Sequence, residues 1–128
     1  MTTDPPRPTD AELEILTVLW NRGPGTVRDV HDAIAARKPT QYTTVLKTLQ
    51  IMAAKGLVRR DETQRAHVYE AALPSEVTRR QLAGDLLTRA FSGSARNLML
   101  GALSSRKATK KELAELRKLL DDYEKGTV

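Results

Sequence analysis

Between residues 41 and 50 the chain sets out Gln41, Tyr42, Thr43, Thr44, Lys47 and Gln50, a row of hydrogen-bonding side chains threaded between apolar residues at helical spacing. On the outer face of a helix such groups can enter a major groove. There Gln pairs with adenine, Lys with guanine or a phosphate, and Thr with several base edges or a phosphate. Tyr42 can stand against the backbone with its hydroxyl on a phosphate, and an outward-facing Leu46 can meet a thymine methyl. Lys38, Arg59, Arg60 and Arg65 flank this row and suit phosphate contacts, which set position without reading sequence. The chemistry on offer is recognition of double-stranded DNA.

The charge follows the same segment. Residues 37–67 carry seven Lys or Arg against two acids, whereas residues 4–32 carry three Arg against six acids. Cations are thus concentrated where phosphate contact would need them. From residue 75 onward eleven Lys or Arg stand against seven acids, the balance of solvated helix faces. Catalysis has no candidate residue, since the sequence has no G-x-S-x-G, no phosphate-cradling glycine loop and no His-Glu metal motif. His31 and His67 are too far apart in sequence, and too short of companions, to suggest a metal site, so no metal or cofactor is expected. The absence of Cys excludes disulfides and thiolate metal sites and is compatible with a reducing cytoplasm, the expected location. The opening Met-Thr-Thr-Asp-Pro-Pro-Arg-Pro lacks the apolar core of a signal peptide, and no apolar run reaches membrane-spanning length. Membrane insertion is not expected.

The elements that must position these residues announce themselves through their caps. Thr9 with Glu12 and Thr109 with Glu112 form T-x-x-E patterns, and Thr26 with Asp29 is a shorter version. A hydroxyl at the N-cap and a carboxylate three residues on satisfy two backbone donors together. The first helix is predicted from Thr9 to about Asn21, burying Leu13, Leu16, Leu19 and Trp20, and Gly23-Pro24-Gly25 ends it. The second runs from Val27 to about Arg37 with Val30 and Ile34 inward. Lys38-Pro39-Thr40 is a turn, and the third helix runs from Gln41 or Tyr42 to Lys55-Gly56, a cation before a C-terminal glycine. Val45, Leu49, Met52 and Ala53 share its inner face, while Leu46 and Ile51 fall outside it. Two strand-like stretches, 57–61 and 66–71, are joined by a polar loop without the Asn-Gly of a tight hairpin. Together these predict a mainly α fold with a small β-wing.

Three regions follow: a flexible arm over 1–8, a winged helix-turn-helix domain over 9–74, and a helical dimerisation region over 75–128. Ser75 caps a helix to Phe91 that buries Leu82, Leu86 and Phe91, and Ser92-Gly93-Ser94 breaks it. A short apolar helix around Leu98 to Leu103 follows. The last helix, Lys110 to about Lys125, spaces Leu113, Leu116, Leu120 and Tyr123 as a short coiled-coil-like seam. About 50 residues of this kind cannot build a well-buried core alone, so a homodimer is expected, the alternative being that these helices fold back on the winged domain within a monomer. Two recognition helices on one DNA face then require an inverted-repeat target.

Five motifs in order carry a family resemblance: Thr-Asp-Ala-Glu-Leu-Glu-Ile-Leu-Thr-Val-Leu-Trp (9–20), Thr-Val-Arg-Asp-Val (26–30), Tyr-Thr-Thr-Val-Leu (42–46), Lys-Gly-Leu-Val (55–58) and Arg-Ala-His-Val-Tyr (65–69). They closely resemble the BlaI/MecI/CopY family of bacterial repressors over nearly the whole chain. The resemblance implies a winged-helix DNA-binding domain, a C-terminal helical dimerisation region and repression by occupying a palindromic operator. In the beta-lactamase and methicillin-resistance branch it also implies release through a membrane metalloprotease receptor that leads to cleavage in the C-terminal region. The cut maps near Gly101-Ala102, which here replaces the Asn-Phe pair of those repressors. The copper-sensing branch uses a Cys-rich motif that this chain lacks. Ile51 stands where those repressors carry basic residues, which implies a different operator preference. Two rival functions remain at this level. One is a winged-helix regulator with a ligand pocket near Leu82, Leu86 and Phe91; the other is a winged domain that grips a protein instead of DNA.

Overall fold

In the computed structural model, residues 4–127 are described, so the first three residues of the expected arm lie outside the described residues. The helices are α1 (Asp10–Arg22), α2 (Val27–Ala35), α3 (Tyr42–Lys55), α4 (Ser75–Phe91), α5 (Ala95–Ser105) and α6 (Lys110–Lys125). The strands are β1 (Gly25–Thr26), β2 (Val58–Asp61) and β3 (Val68–Ala71). Thr9 and Thr26 close full reciprocal boxes with Glu12 and Asp29. Thr109 does only half of this. Its hydroxyl accepts from the Glu112 amide at 3.0 Å, but the Glu112 carboxylate turns to Arg106 at 3.1 and 3.2 Å. A guanidinium in reach is a stronger partner for a carboxylate than a neutral amide. The helix expected from Leu98 starts earlier, because Ser94 caps Asn97 at 3.1 Å.

The chain divides into two compact units, residues 1–84 and 85–128. The first unit takes in the opening turns of α4, past the composition change at Pro74. Thr78 is buried there, and Gln81 Nε2 donates to the Pro5 carbonyl at 2.6 Å. In this unit α1, α2 and α3 pack on a three-stranded antiparallel sheet of order β1-β3-β2. The two-residue β1 is the one strand the sequence reading did not contain. It pairs Gly25 with Tyr69 and Thr26 with Val68, so the start of α2 is tied to the wing.

Ile15, Leu16, Val18 and Leu19 of α1, Val27, Val30 and Ile34 of α2, and Val45, Leu49 and Met52 of α3 meet Leu57, Val58 and Tyr69 in one core. Leu13 and Trp20 are half-buried, whereas Ile15 and Val18 take inner positions. The reason is that α1 touches both helices and the sheet, so its buried face is wider than one stripe. Trp20 lies at the rim and its Nε1 donates to the Leu73 carbonyl at 3.0 Å.

The second unit is packed differently. No residue of α5 or α6 is buried. Phe91, Leu98, Leu113 and Leu116 are half-buried, as is Leu82 in the part of α4 that belongs to the first unit, while Leu86, Leu100, Leu120 and Tyr123 are 48%, 54%, 60% and 64% exposed. The burial expected of Leu86 on α4 is therefore not met within one chain.

One buried charge joins the start of α1 to the end of α3. Glu12, at the start of α1, is 4% exposed and its Oε1 takes the Lys55 ammonium, at the end of α3, at 2.7 Å. Burial pushes the carboxyl up, but hydrogen bonds from Lys55 and the Thr9 amide and the Lys55 charge outweigh it. The net result is a pKa below the ordinary 4.5. Glu12→Ala removes a cap and an ion pair together and should cost about 2–3 kcal/mol in urea unfolding. A lowered folded pKa contributes stability above the unfolded value and loses it as pH falls through the folded one. Below about 4.5, the wild-type stability profile should therefore fall more steeply than that of Glu12→Ala.

Candidate nucleic-acid interface

The buried row of α3 dictates its outer face. With Val45, Leu49 and Met52 inward, Thr43, Thr44, Lys47 and Gln50 are all exposed, as is Gln41 at the N-cap. Gln41 makes no capping hydrogen bond, so its amide is available to a ligand. Ile51 is 54% exposed on the same polar surface. Lys55 and Gly56 end the helix as expected, Gly56 adopting φ 85°, where a side chain would strain the backbone.

Tyr42, Leu46 and Gln50 recur every fourth residue and form a ridge along one side of α3. That ridge walls a groove of about 290 Å³ whose opposite side is the wing, through Arg60, Arg65 and His67, and whose end is Arg28 of α2. No carboxylate is among its lining residues. Leu46 is half-buried in this wall and does not project from the outer face.

Strand alternation sorts the two wing arginines. Arg60 lies opposite Tyr69, whose ring is in the core, and so faces the groove; Arg59 lies opposite Glu70 on the other face. Arg59 donates to the Ala72 carbonyl at 3.1 Å and stands 3.6 Å from Glu70. Arg60 meets Glu62 at 2.6 Å, and the Tyr69 phenol and then Glu62 raise its pKa, so it is a permanent cation. Asp61 closes the start of the wing loop, accepting from the Thr63 hydroxyl and amide at 2.7 and 2.9 Å. Those bonds lower its pKa. Lys38 is exposed but its ammonium lies 2.9 Å from Glu14 of α1. The structure thus brings Gln50, Arg60 and Arg65 around one groove with Tyr42, and sets Lys38 and Arg59 against acids outside it.

Two groove residues carried no special signal in the sequence. Arg28 Cζ stands 5.2 Å over the Tyr42 ring. His67, just ahead of β3, is exposed at the groove. His31 contributes from behind: its Nε2 donates to the Thr40 carbonyl at 2.7 Å, and its ring meets Tyr42 edge-on at 5.8 Å. No group of His, Asp or Glu among the described residues could hold a metal ion.

A family model described as penicillinase repressor matches residues 8–122. The chain belongs to the penicillinase repressor family. Members of this family are transcriptional repressors, not enzymes. Among curated relatives, the transcriptional regulator BlaI of Mycobacterium tuberculosis is 35% identical over 118 residues, covering 91% of this chain and 85% of the relative. The penicillinase repressor of Staphylococcus aureus is 19% identical over 115 residues, 90% of this chain and 91% of its own. Two solved structures share the winged-helix fold at 22% identity. The DNA-binding domain of the repressor BlaI gives a TM-score of 0.51 over 60% of this chain and 93% of its own. Bacillus licheniformis BlaI, solved in monomeric form with the blaP half-operator, gives 0.50 over 57% and 89%. Among the described residues no helix is long and apolar enough to cross a membrane.

The alternation of the wing sets a ranking that duplex titrations can check. Arg65 borders the groove and has no acid partner among the described residues. Arg65→Ala should weaken duplex binding and reduce the slope of log K against log salt by about one. Arg59→Ala, whose guanidinium is already engaged by Glu70, should change both less.

Proposed function

We propose that the chain is a homodimeric, sequence-specific repressor that acts in the cytoplasm by occupying an inverted-repeat operator in double-stranded DNA. The reading rests on one observation: a solvent-facing row of donors and acceptors on α3 beside an arginine-lined groove that has no carboxylate in its lining. Gln41, Thr43, Thr44, Lys47 and Gln50 meet base edges in the major groove, and Arg60 and Arg65 meet the backbone. Lys38 and Arg59 add to the positive field from outside the groove.

The second copy enters through the tail. Leu86, Leu100, Leu120 and Tyr123 leave large apolar area in water, and α5 and α6 have no buried residue of their own. Pairing of these helices, along the Leu113, Leu116, Leu120 and Tyr123 seam, removes that area from water and holds two α3 helices one turn or a multiple apart. An inducing signal releases the operator by breaking this link. A membrane metalloprotease receptor acting upstream, with a cut at Gly101-Ala102, is the route we assign. That bond lies inside α5, so the helix must open locally before a protease can take it, and a mid-helix glycine lowers that barrier by about 1 kcal/mol.

Lys47→Ala should weaken binding to a selected duplex by about 1–3 kcal/mol if the ammonium reads a base. Leu120→Asp should convert the dimer to monomer in sedimentation and weaken operator binding steeply, because linked half-sites bind far more tightly than separate ones. A wild-type chain that sediments as a monomer and shows no preference for any duplex from its own genome would overturn the reading.

A further inference from the structure

We infer that Arg28, at the start of α2, is a DNA-backbone contact that Tyr42 holds ready by its ring and not by its hydroxyl. The inference rests on the proposed DNA-binding reading and adds a residue outside both the recognition helix and the wing. Arg28 is exposed and its Cζ lies 5.2 Å from the Tyr42 ring centroid, within cation–π range. The Arg28 side chain makes no hydrogen bond and no ion pair among the described residues, so its N–H donors are unspent. Those donors border a groove that already holds Arg60 and Arg65 and has no carboxylate in its lining. A fork of N–H groups at such a place matches a phosphate, which can accept two of them at once.

Neither nearby acid of α2 pairs with Arg28. Asp29, its neighbour, accepts from the Thr26 amide at 3.0 Å and lies 3.6 Å from Arg22. Asp32, one turn along α2, is exposed and makes no ion pair with Arg28. Among the described residues Arg28 has no ion pair. The stacking platform is itself fixed from behind, since His31 abuts Tyr42 at 5.8 Å while Nε2 donates to the Thr40 carbonyl at 2.7 Å. A pre-positioned arginine loses less side-chain freedom on binding than one free in solvent. The Tyr42 hydroxyl, which the sequence reading placed on a phosphate, is not needed for this arrangement.

The test uses the full chain and a duplex recovered with it from a random-sequence pool, titrated over a range of salt, with a random duplex as control. Arg28→Ala is expected to lose affinity roughly tenfold on both duplexes and to reduce the salt slope by about one, as a phosphate contact does. In a Tyr42→Phe background, which keeps the ring, Arg28→Ala is expected to cost the same roughly tenfold loss and the same unit of salt slope. Tyr42→Ala is expected to approach the Arg28→Ala loss, and its double variant with Arg28→Ala to lose little more than Arg28→Ala alone. An unchanged slope in Arg28→Ala, alongside the expected loss in Lys47→Ala, would overturn this inference while leaving the DNA-binding reading intact. So would an Arg28→Ala loss that disappears in the Tyr42→Phe background, or a loss in Arg28→Ala confined to the selected duplex. Failure of the wild-type chain to bind any duplex overturns both.

Discussion

Because Val45, Leu49 and Met52 lie on one stripe of α3 and are each at most 2% exposed, the helix cannot turn about its axis without carrying that row into water. Burying three such side chains fully contributes on the order of 5–9 kcal/mol before conformational entropy is charged against it. A rotation that exposed even part of the row would forfeit a sizeable fraction of a small domain's net stability. The orientation of Thr43, Lys47 and Gln50 is therefore decided by residues that never face a ligand. Packing on the inside and recognition on the outside are one constraint read from two sides.

Both ends of α3 are pinned by polar contacts that reach across the fold. At the start, His31 of α2 holds the Thr40 carbonyl and abuts Tyr42, which sets the entry angle of the helix. At the end, Lys55 reaches the buried Glu12 of α1, whose carboxylate also caps its own helix through the Thr9 amide. Loss of one partner would leave a charge with little solvent, which is far costlier than the net value of the pair. β1 adds a third tie, since its pairing with β3 joins the first residues of α2 to the wing. The helices and strands that border the groove beside α3 are thus bonded to one another.

What the sequence disclosed and what it withheld divide by distance along the chain. The threonine caps, the glycine stop at Gly56 and the apolar row of α3 involve partners within a few residues, and they were legible. So was the family, because the order of several local motifs carries it. β1 was not legible, since two residues hold no alternation and Gly23-Pro24-Gly25 reads as punctuation. Arg59 and Arg60 looked equivalent until the register against Glu70 and Tyr69 put them on opposite faces. The Glu14 partner of Lys38 and the Tyr42 partner of Arg28 lie on other helices, and no local pattern announces them. Site residues chosen by type alone therefore included three cations that the fold directs to acids, Lys38, Arg59 and Arg60.

That diversion is itself part of how the interface is built. Between residues 22 and 70, Arg22 is met by Asp29, Arg37 and Lys38 by Glu14, Lys55 by Glu12, Arg59 by Glu70 and Arg60 by Glu62. The cations of that span with no acid partner among the described residues are Arg28, Lys47 and Arg65. Lys47 sits on the outer face of α3, and the other two border the groove beside it. A basic surface with its acids spread evenly would attract a polyanion weakly, since each phosphate would meet a repelling carboxylate near each cation. Here acids of α1, the outer sheet face and the wing loop each take a cation, and Arg28, Lys47 and Arg65 are left without an acid partner among the described residues. The useful quantity is thus less the net charge of +5 than its placement after internal pairing. That placement follows from the packing that fixes α3.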